Sequence, residues 1–228
     1  KGYTEGLQDG IADTPEKQKR YYEAIHVRAM DMEALVDSLS VFSRLENRHH
    51  RYQLELVDMK EYLEQLLEEY KEETEQKKIT LLMEWTARNT QVKLDLQEMH
   101  RVFINLFENS VKYRTKERSV IKLILDERGT DLEIRVADDG PGVPEADLEH
   151  IFNSFYRGDA SRTKPGSGSG LGLAIVKQIV EGHGGKICAY NDHGLVIVIT
   201  LPLVRERLGG SRENGKGETG ENEENTGG

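Results

Sequence analysis

Three short segments, far apart in the chain, constrain its fold more than any others. The first is Asn105-Leu106-Phe107-Glu108-Asn109-Ser110-Val111-Lys112-Tyr113. Asn105 and Asn109 are four apart, so on a helix they share a face, and Lys112 joins them three positions on. Two amides and an ammonium make a poor core stripe. They make a good platform for phosphate and a hard cation, because an amide oxygen can ligate while the ion keeps its waters. The second is Asp138-Asp139-Gly140-Pro141-Gly142, which closes an alternating stretch; its glycines let the backbone turn tightly. A carboxylate at that turn can accept from an exocyclic amine. The third is Gly166-Ser167-Gly168-Ser169-Gly170-Leu171-Gly172-Leu173, whose bare N–H groups feed a helix N-terminus, a ready anion site. Taken singly each is weak: the first reads as a solvated helix face and the second as an Asp-Gly turn.

The run of glycines does not fit a P-loop, since no Gly-Lys-Ser/Thr follows, and its third glycine is misplaced for a dinucleotide fingerprint. Between the second and third segments lies Ile151-Phe152-Asn153-Ser154-Phe155-Tyr156-Arg157, then a polar stretch to Ser169. It reads as a lid.

The surroundings predict an α+β fold: a helical hairpin followed by an α/β sandwich, with helices layered on one face of a mixed sheet. Thr14 as N-cap and Pro15 at the first helical position open a helix running without Gly or Pro to about Asn47. Ile25, Met32 and Leu39, with Ala29, Val36 and Ser43, form an a/d seam. Leu35 and Phe42 widen it to what a dimeric four-helix bundle needs; the alternative is packing on the chain's own C-terminal domain. Strands are expected at 54–57, 78–85, 92–94, 120–125, 132–137, 186–190 and 195–201. Helices are expected at 58–75, from Asp95 through Lys112 with Asp95-Leu96-Gln97-Glu98 as a capping-box-like start, and at 172–181. Cys188, in an alternating stretch, is expected to be a small buried residue. The expected domains are 1–50, 51–207 and 208–228, the last an acidic, Gly-rich, disordered tail.

The formal net charge of −10 argues against nonspecific nucleic-acid binding. No apolar run is long enough to span a bilayer, and there is no secretory signal, so no membrane contact by this piece is expected. One cysteine fits a reducing compartment. The chain starts at Lys1, without an initiator methionine, and is expected to be part of something longer.

In order and spacing, the three segments and the intervening lid resemble the N, G1, G2 and F boxes of the sensor histidine kinases, within the GHKL ATPases. Lys1-Gly2-Tyr3-Thr4-Glu5-Gly6-Leu7 and Phe42-Ser43-Arg44-Leu45-Glu46 are similar to that family's dimerisation and phosphotransfer hairpin. The resemblance reaches about Arg207. It implies ATP and Mg²⁺ as cofactors, with Asn109 as metal ligand and Asn105 and Lys112 as catalytic groups at the phosphate end. It implies that Asp138 reads adenine and that Gly140, Gly142, Gly168, Gly170 and Gly172 shape the pocket and lid, with Tyr113, Phe155, Arg157 and Leu171 lining it. Topoisomerase-like relatives carry a water-activating glutamate at the position of Asn105; an asparagine cannot take that proton, which points to a kinase. Ser110 stands where alanine is common, and Arg114-Thr115-Lys116 replaces the usual Thr-Pro turn.

The family's phosphoacceptor histidine sits in a His-Glu/Asp-x-x-x-Pro context, and His26, His49, His50, His100, His150, His183 and His193 all lack it. It is expected about three helical turns before Lys1. The implied protein is the cytoplasmic kinase portion of a membrane-bound sensor, a homodimer through the hairpin with a response regulator as partner. Two rivals remain: an ATPase that drives conformational change, predicting steady hydrolysis, and a non-catalytic dimeric scaffold, predicting no nucleotide affinity.

Overall fold

The computed structural model describes residues 2–46, 50–158 and 169–204. Helix α1 (Tyr3–Gln8) turns back on the long helix α2 (Pro15–Glu46). Gly6 is needed at that turn, because a Cβ there would stand 2.5 Å from the Tyr21 ring. Thr14 caps α2 as expected, its Oγ1 accepting from Lys17 N at 3.2 Å.

The rest is an α+β assembly, as anticipated. Strands β1 (Glu55–Asp58) and β3 (Gln91–Leu94) pair antiparallel in a small sheet. The main sheet has five strands in the order β2 (Ile79–Trp85), β4 (Ser119–Arg128), β5 (Asp131–Asp138), β7 (Leu195–Pro202), β6 (Lys186–Asn191). Only β2 and β4 run parallel; the other neighbours are antiparallel. Helices α3 (Met59–Gln76), α4 (Leu96–Tyr113) and α5 (Gly172–Gly182) supply the opposing apolar layer. The strand alternation aims Leu123, Val136 and Ile197, and in the next row Leu125, Ile134 and Ile199, into one core with Leu63, Leu66, Met99, Phe103, Leu106, Ile175 and Ile179.

The opposite face of the sheet carries ion pairs, with Val196 and Val198 buried among its side chains. Arg135 pairs with Asp126 and Glu133, and Lys122 with Glu84. Cys188 lies on that face and is exposed, contrary to the expectation of burial. Its period-2 pattern was read correctly, but Ile187 and Ala189 take the inward positions, and a one-residue offset reverses the face.

Two ends of α4 matter later. At its start, Asp95 Oδ1 accepts from Glu98 N at 3.2 Å, so Asp95 is the N-cap. Glu98 does not complete a capping box. Its carboxylate instead meets Arg44 of α2 at 2.6 Å and Arg101 at 3.4 Å. The Asp95 N–H goes to His183 Nε2 at 2.9 Å, while His183 Nδ1–H donates to Ile179 O at 2.7 Å. These two bonds fix the ring as the neutral Nδ1–H tautomer. Burial holds the His183 pKa below its ordinary value, against the opposing pull of the Ile179 carbonyl and the nearby carboxylates.

Most of the α2 seam is uncovered within the chain. Met32 is 67% and Val36 62% exposed. Only Phe42 and Leu45, near the C-terminal end, are buried, and they join the core of the sandwich. Among the described residues no helix is long and apolar enough to cross a membrane.

Candidate nucleotide site

The site is built from the C-terminal half of α4, the end of β5 and the start of α5. Helix α4 is amphipathic: Met99, Val102, Phe103, Leu106 and Phe107 are buried, which leaves Asn105, Asn109 and Lys112 along its side and end. Asn105 is back-bonded, its Nδ2 donating to Arg101 O at 2.8 Å. Its Oδ1 is therefore the free end of the amide, and it faces α5. A Cβ on Gly172 would stand 2.8 Å from Asn105 Oδ1 and 4.0 Å from Asn109 Nδ2. Glycine at the first position of α5 thus lets the two helices close on each other. It also sets an N-terminus, where backbone N–H groups and the helix dipole favour anions, beside both amides.

Asp138 is the last residue of β5, and its partner across the ladder is Ile121. It therefore sits in the period of the core face, under α4. Its Oδ1 accepts from Gly140 N at 2.9 Å and from Leu195 N at 3.2 Å. Its Oδ2 receives Ser110 Oγ of α4 at 3.3 Å. Gly140 lies so close that a Cβ would stand 2.9 Å from Asp138 Oδ1. Gly142 adopts φ +70° against Asn191, whose side chain clamps the turn by donating to Val143 O at 2.6 Å and accepting from Val143 N at 3.0 Å. Asp139, next in sequence, is structural: it accepts from Val120 N at 3.0 Å and pairs with Lys116 at 3.0 Å.

Lys112 extends over the Tyr113 ring at 5.2 Å. Although Lys112 is exposed, the protein packed round it lowers its pKa, and the Arg157 guanidinium adds to the shift. Tyr113 is pushed the other way by burial, with Arg157 opposing. Arg157 therefore lies within electrostatic range of both. Phe155 holds φ +63° and donates its N–H to Gly170 O at 3.0 Å, while Gly170, at φ +73°, packs against the Phe155 backbone. Leu171 is fully buried, so its side chain anchors the loop rather than facing a ligand; its N–H goes to Ser169 Oγ at 3.2 Å. Gly168, with Gly166, Ser167 and the polar lid stretch 159–165, lies outside the described residues, as does the tail.

Asn105, Asn109, Lys112, Tyr113, Asp138, Gly140, Gly142, Phe155, Arg157, Gly170 and Gly172 thus belong to adjoining elements around one side of the sandwich. Sequence reasoning missed Asn191 and Gly194 as supports. A Cβ at Gly194 would run into the Asp138 carbonyl at 1.9 Å. The Asn-Asp-His-Gly turn signal was visible, but its docking on the Asp138 turn was not.

Among the described residues no group of three or more His, Cys, Asp or Glu could hold a metal ion. Amide oxygens such as Asn105 Oδ1 are hard donors of the kind that suit Mg²⁺ when water completes its shell.

Comparison with known proteins bears on the family and the fold. The family model for histidine kinase-, DNA gyrase B-, and HSP90-like ATPases matches residues 94–205, which include every candidate residue named above. The sensor histidine kinase WalK of Bacillus subtilis is 28% identical over 210 residues, covering 91% of this chain and 34% of the relative. The sensor protein kinase WalK of Staphylococcus saprophyticus is 32% identical over 203 residues, covering 88% and 33%. The chain therefore spans about one third of the length of these curated relatives. Among solved structures, the nucleotide-free catalytic domain of histidine kinase ThkA matches with a TM-score of 0.58 and 29% identity, over 66% of this chain and 95% of that one. ThkA in complex with the response regulator protein TrrA shares the fold over 89% of this chain and 57% of that one, with a TM-score of 0.70 at 22% identity. On these matches, and on the fold and site that precede them, the chain belongs to the sensor histidine kinase family and carries that family's GHKL ATPase domain.

Proposed function

We propose that this chain is the kinase portion of a two-component sensor, with a bundle-forming hairpin over 1–50 and an ATP-binding catalytic domain over 51–207. It binds ATP with Mg²⁺ and passes the γ-phosphoryl group to a histidine in the family's His-Glu/Asp-x-x-x-Pro context, which no histidine of this sequence has. A response-regulator aspartate then receives it. The observation that carries this reading is the convergence of Asn105, Asn109 and the α5 N-terminus at one end of the site with Asp138 at the other.

In this assignment Asp138 Oδ2 accepts from the adenine amine. Asn109 holds Mg²⁺ through its amide oxygen, and Mg²⁺, when bound, offsets phosphate charge. Lys112 and Arg157 add positive charge at the phosphate end, and the α5 N–H groups receive phosphate oxygens. Catalysis is positioning and charge stabilisation, with no covalent role for the protein groups. Asn105 has no proton-accepting carboxylate, so water is not activated and the phosphoryl group is kept for transfer. The exposed α2 seam pairs with a second copy, giving a homodimer, and the piece works on the cytoplasmic side of a membrane-bound sensor.

Titration calorimetry with ATP and Mg²⁺ tests the site. Asp138→Asn is expected to weaken binding about 10- to 100-fold, the worth of a hydrogen bond to a charged group, and Asn109→Asp to weaken it by placing a carboxylate against the phosphates. Unchanged affinity in both variants would falsify the assignment. With γ-labelled ATP, no stable label should appear on this chain; steady phosphate release would favour the conformational ATPase instead.

A further inference from the structure

Ser110, on α4, stands between its own helix and the carboxylate at the end of β5. Its Oγ is 3.1 Å from Leu106 O, one turn back on α4, and 3.3 Å from Asp138 Oδ2. The hydroxyl has one proton and two acceptors within reach. Asp138 Oδ1 is already occupied by the Gly140 and Leu195 N–H groups at 2.9 and 3.2 Å. Oδ2 is therefore the oxygen left for a ligand, and Ser110 is the side chain that touches it.

We propose that Ser110 is a specificity-determining residue, and that a 6-amino purine is recognised by the Ser110–Asp138 pair rather than by Asp138 alone. The inference rests on the reading of Asp138 as the adenine-contacting group. Two backbone donors hold one carboxylate oxygen, and the hydroxyl of Ser110 holds the other from the helix side. With its proton on Oδ2 rather than on Leu106 O, Ser110 holds the carboxylate plane from the second side before any base arrives. When an exocyclic amine donates to Oδ2, the Ser110 proton can remain on Oδ2 or rotate to Leu106 O, so neither group is left unpaired. Alanine would keep the helix and remove the adjustable partner, leaving Oδ2 to find its orientation only on binding.

The test is a cycle of two nucleotides against three proteins, read by calorimetry: ATP and purine riboside triphosphate, which lacks the 6-amine, with wild type, Ser110→Ala and Ser110→Thr. Wild type is expected to prefer ATP. Ser110→Ala should shrink that preference roughly three- to tenfold, with little change for the amine-free analogue. Ser110→Thr, which keeps the hydroxyl, should restore it. Equal weakening of both nucleotides by Ser110→Ala, or an unchanged preference, overturns the proposal while leaving Asp138 as the reader. A wild type that binds both nucleotides alike overturns the Asp138 reading itself, and this inference with it.

Discussion

Helices α2 and α4 carry similar information and meet different fates. Both have apolar residues at helical spacing, and both lack internal Gly and Pro. In α4, 18 residues long, the stripe is wholly consumed: Met99, Val102, Phe103, Leu106 and Phe107 face the sheet and α3. In α2, 32 residues long, only Phe42 and Leu45 are buried. The difference lies in the available partner. A helix crossing an apolar sheet face buries its stripe at once, whereas a seam at a/d spacing needs another helix of the same kind. Periodicity therefore announces that a face will be covered, without announcing by what. The alternative of α2 packing on its own domain holds for its last turns alone.

Four experiments would break or sharpen that contrast. The largest effect belongs to Phe103→Ala, which should lower the unfolding free energy by about 3–5 kcal/mol in urea denaturation, because the void sits in a closed core; a loss under 1 kcal/mol would mean the α4 stripe is not the spine of the fold. Next comes Arg44→Gln, which strips the α2 partner from buried Glu98. Arg44 is half exposed and Arg101 still neighbours the carboxylate, so the expected loss is about 1 kcal/mol, together with faster proteolysis of α2.

The third is a pH effect. His183 is held neutral in the folded chain, with its pKa depressed by burial. Its contribution is therefore complete above the unfolded imidazole value of about 6.5 and is lost as pH falls from there towards the folded value. Protonation would also turn the acceptor of the Asp95 N–H into a donor. The unfolding midpoint should fall on acidification below about pH 6.5, and His183→Gln should flatten that slope; a parallel slope in the variant would remove His183 from the account. The smallest effect on stability is Val36→Ser, within about 0.5 kcal/mol because the site is exposed. The same change should weaken self-association in sedimentation equilibrium, and unaltered association would leave the seam without its proposed partner.

The sequence was most legible where local chemistry and tertiary packing agree. Thr14 and Asp95 cap helices as their residue types predict, and the alternation of β5 puts Leu132, Ile134 and Val136 on one side. Asn105 and Asn109 could be placed on one helix face by arithmetic alone. Contacts between segments distant in the chain were less legible. Glu98 looked like half of a capping box, yet a histidine after α5 accepts the Asp95 N–H in its place, while Glu98 pairs with a cation on α2. Asn191, between two expected strands, drew no expectation, although its amide is what holds the Asp138 turn. Cys188 failed by parity, the weakest point of any period-2 pattern, since one residue decides the face.

The bond from the Asp95 amide to the His183 ring has a use beyond stability. Amides in the opening turn of a helix ordinarily trade their hydrogens with solvent quickly, because they lack intrahelical acceptors. This one points instead at a buried ring nitrogen contributed by the far end of α5. Its exchange rate should therefore be slow for its place in the chain, and should quicken when the α4–α5 junction opens. That single backbone hydrogen offers a clock for the junction, readable without touching the nucleotide groups.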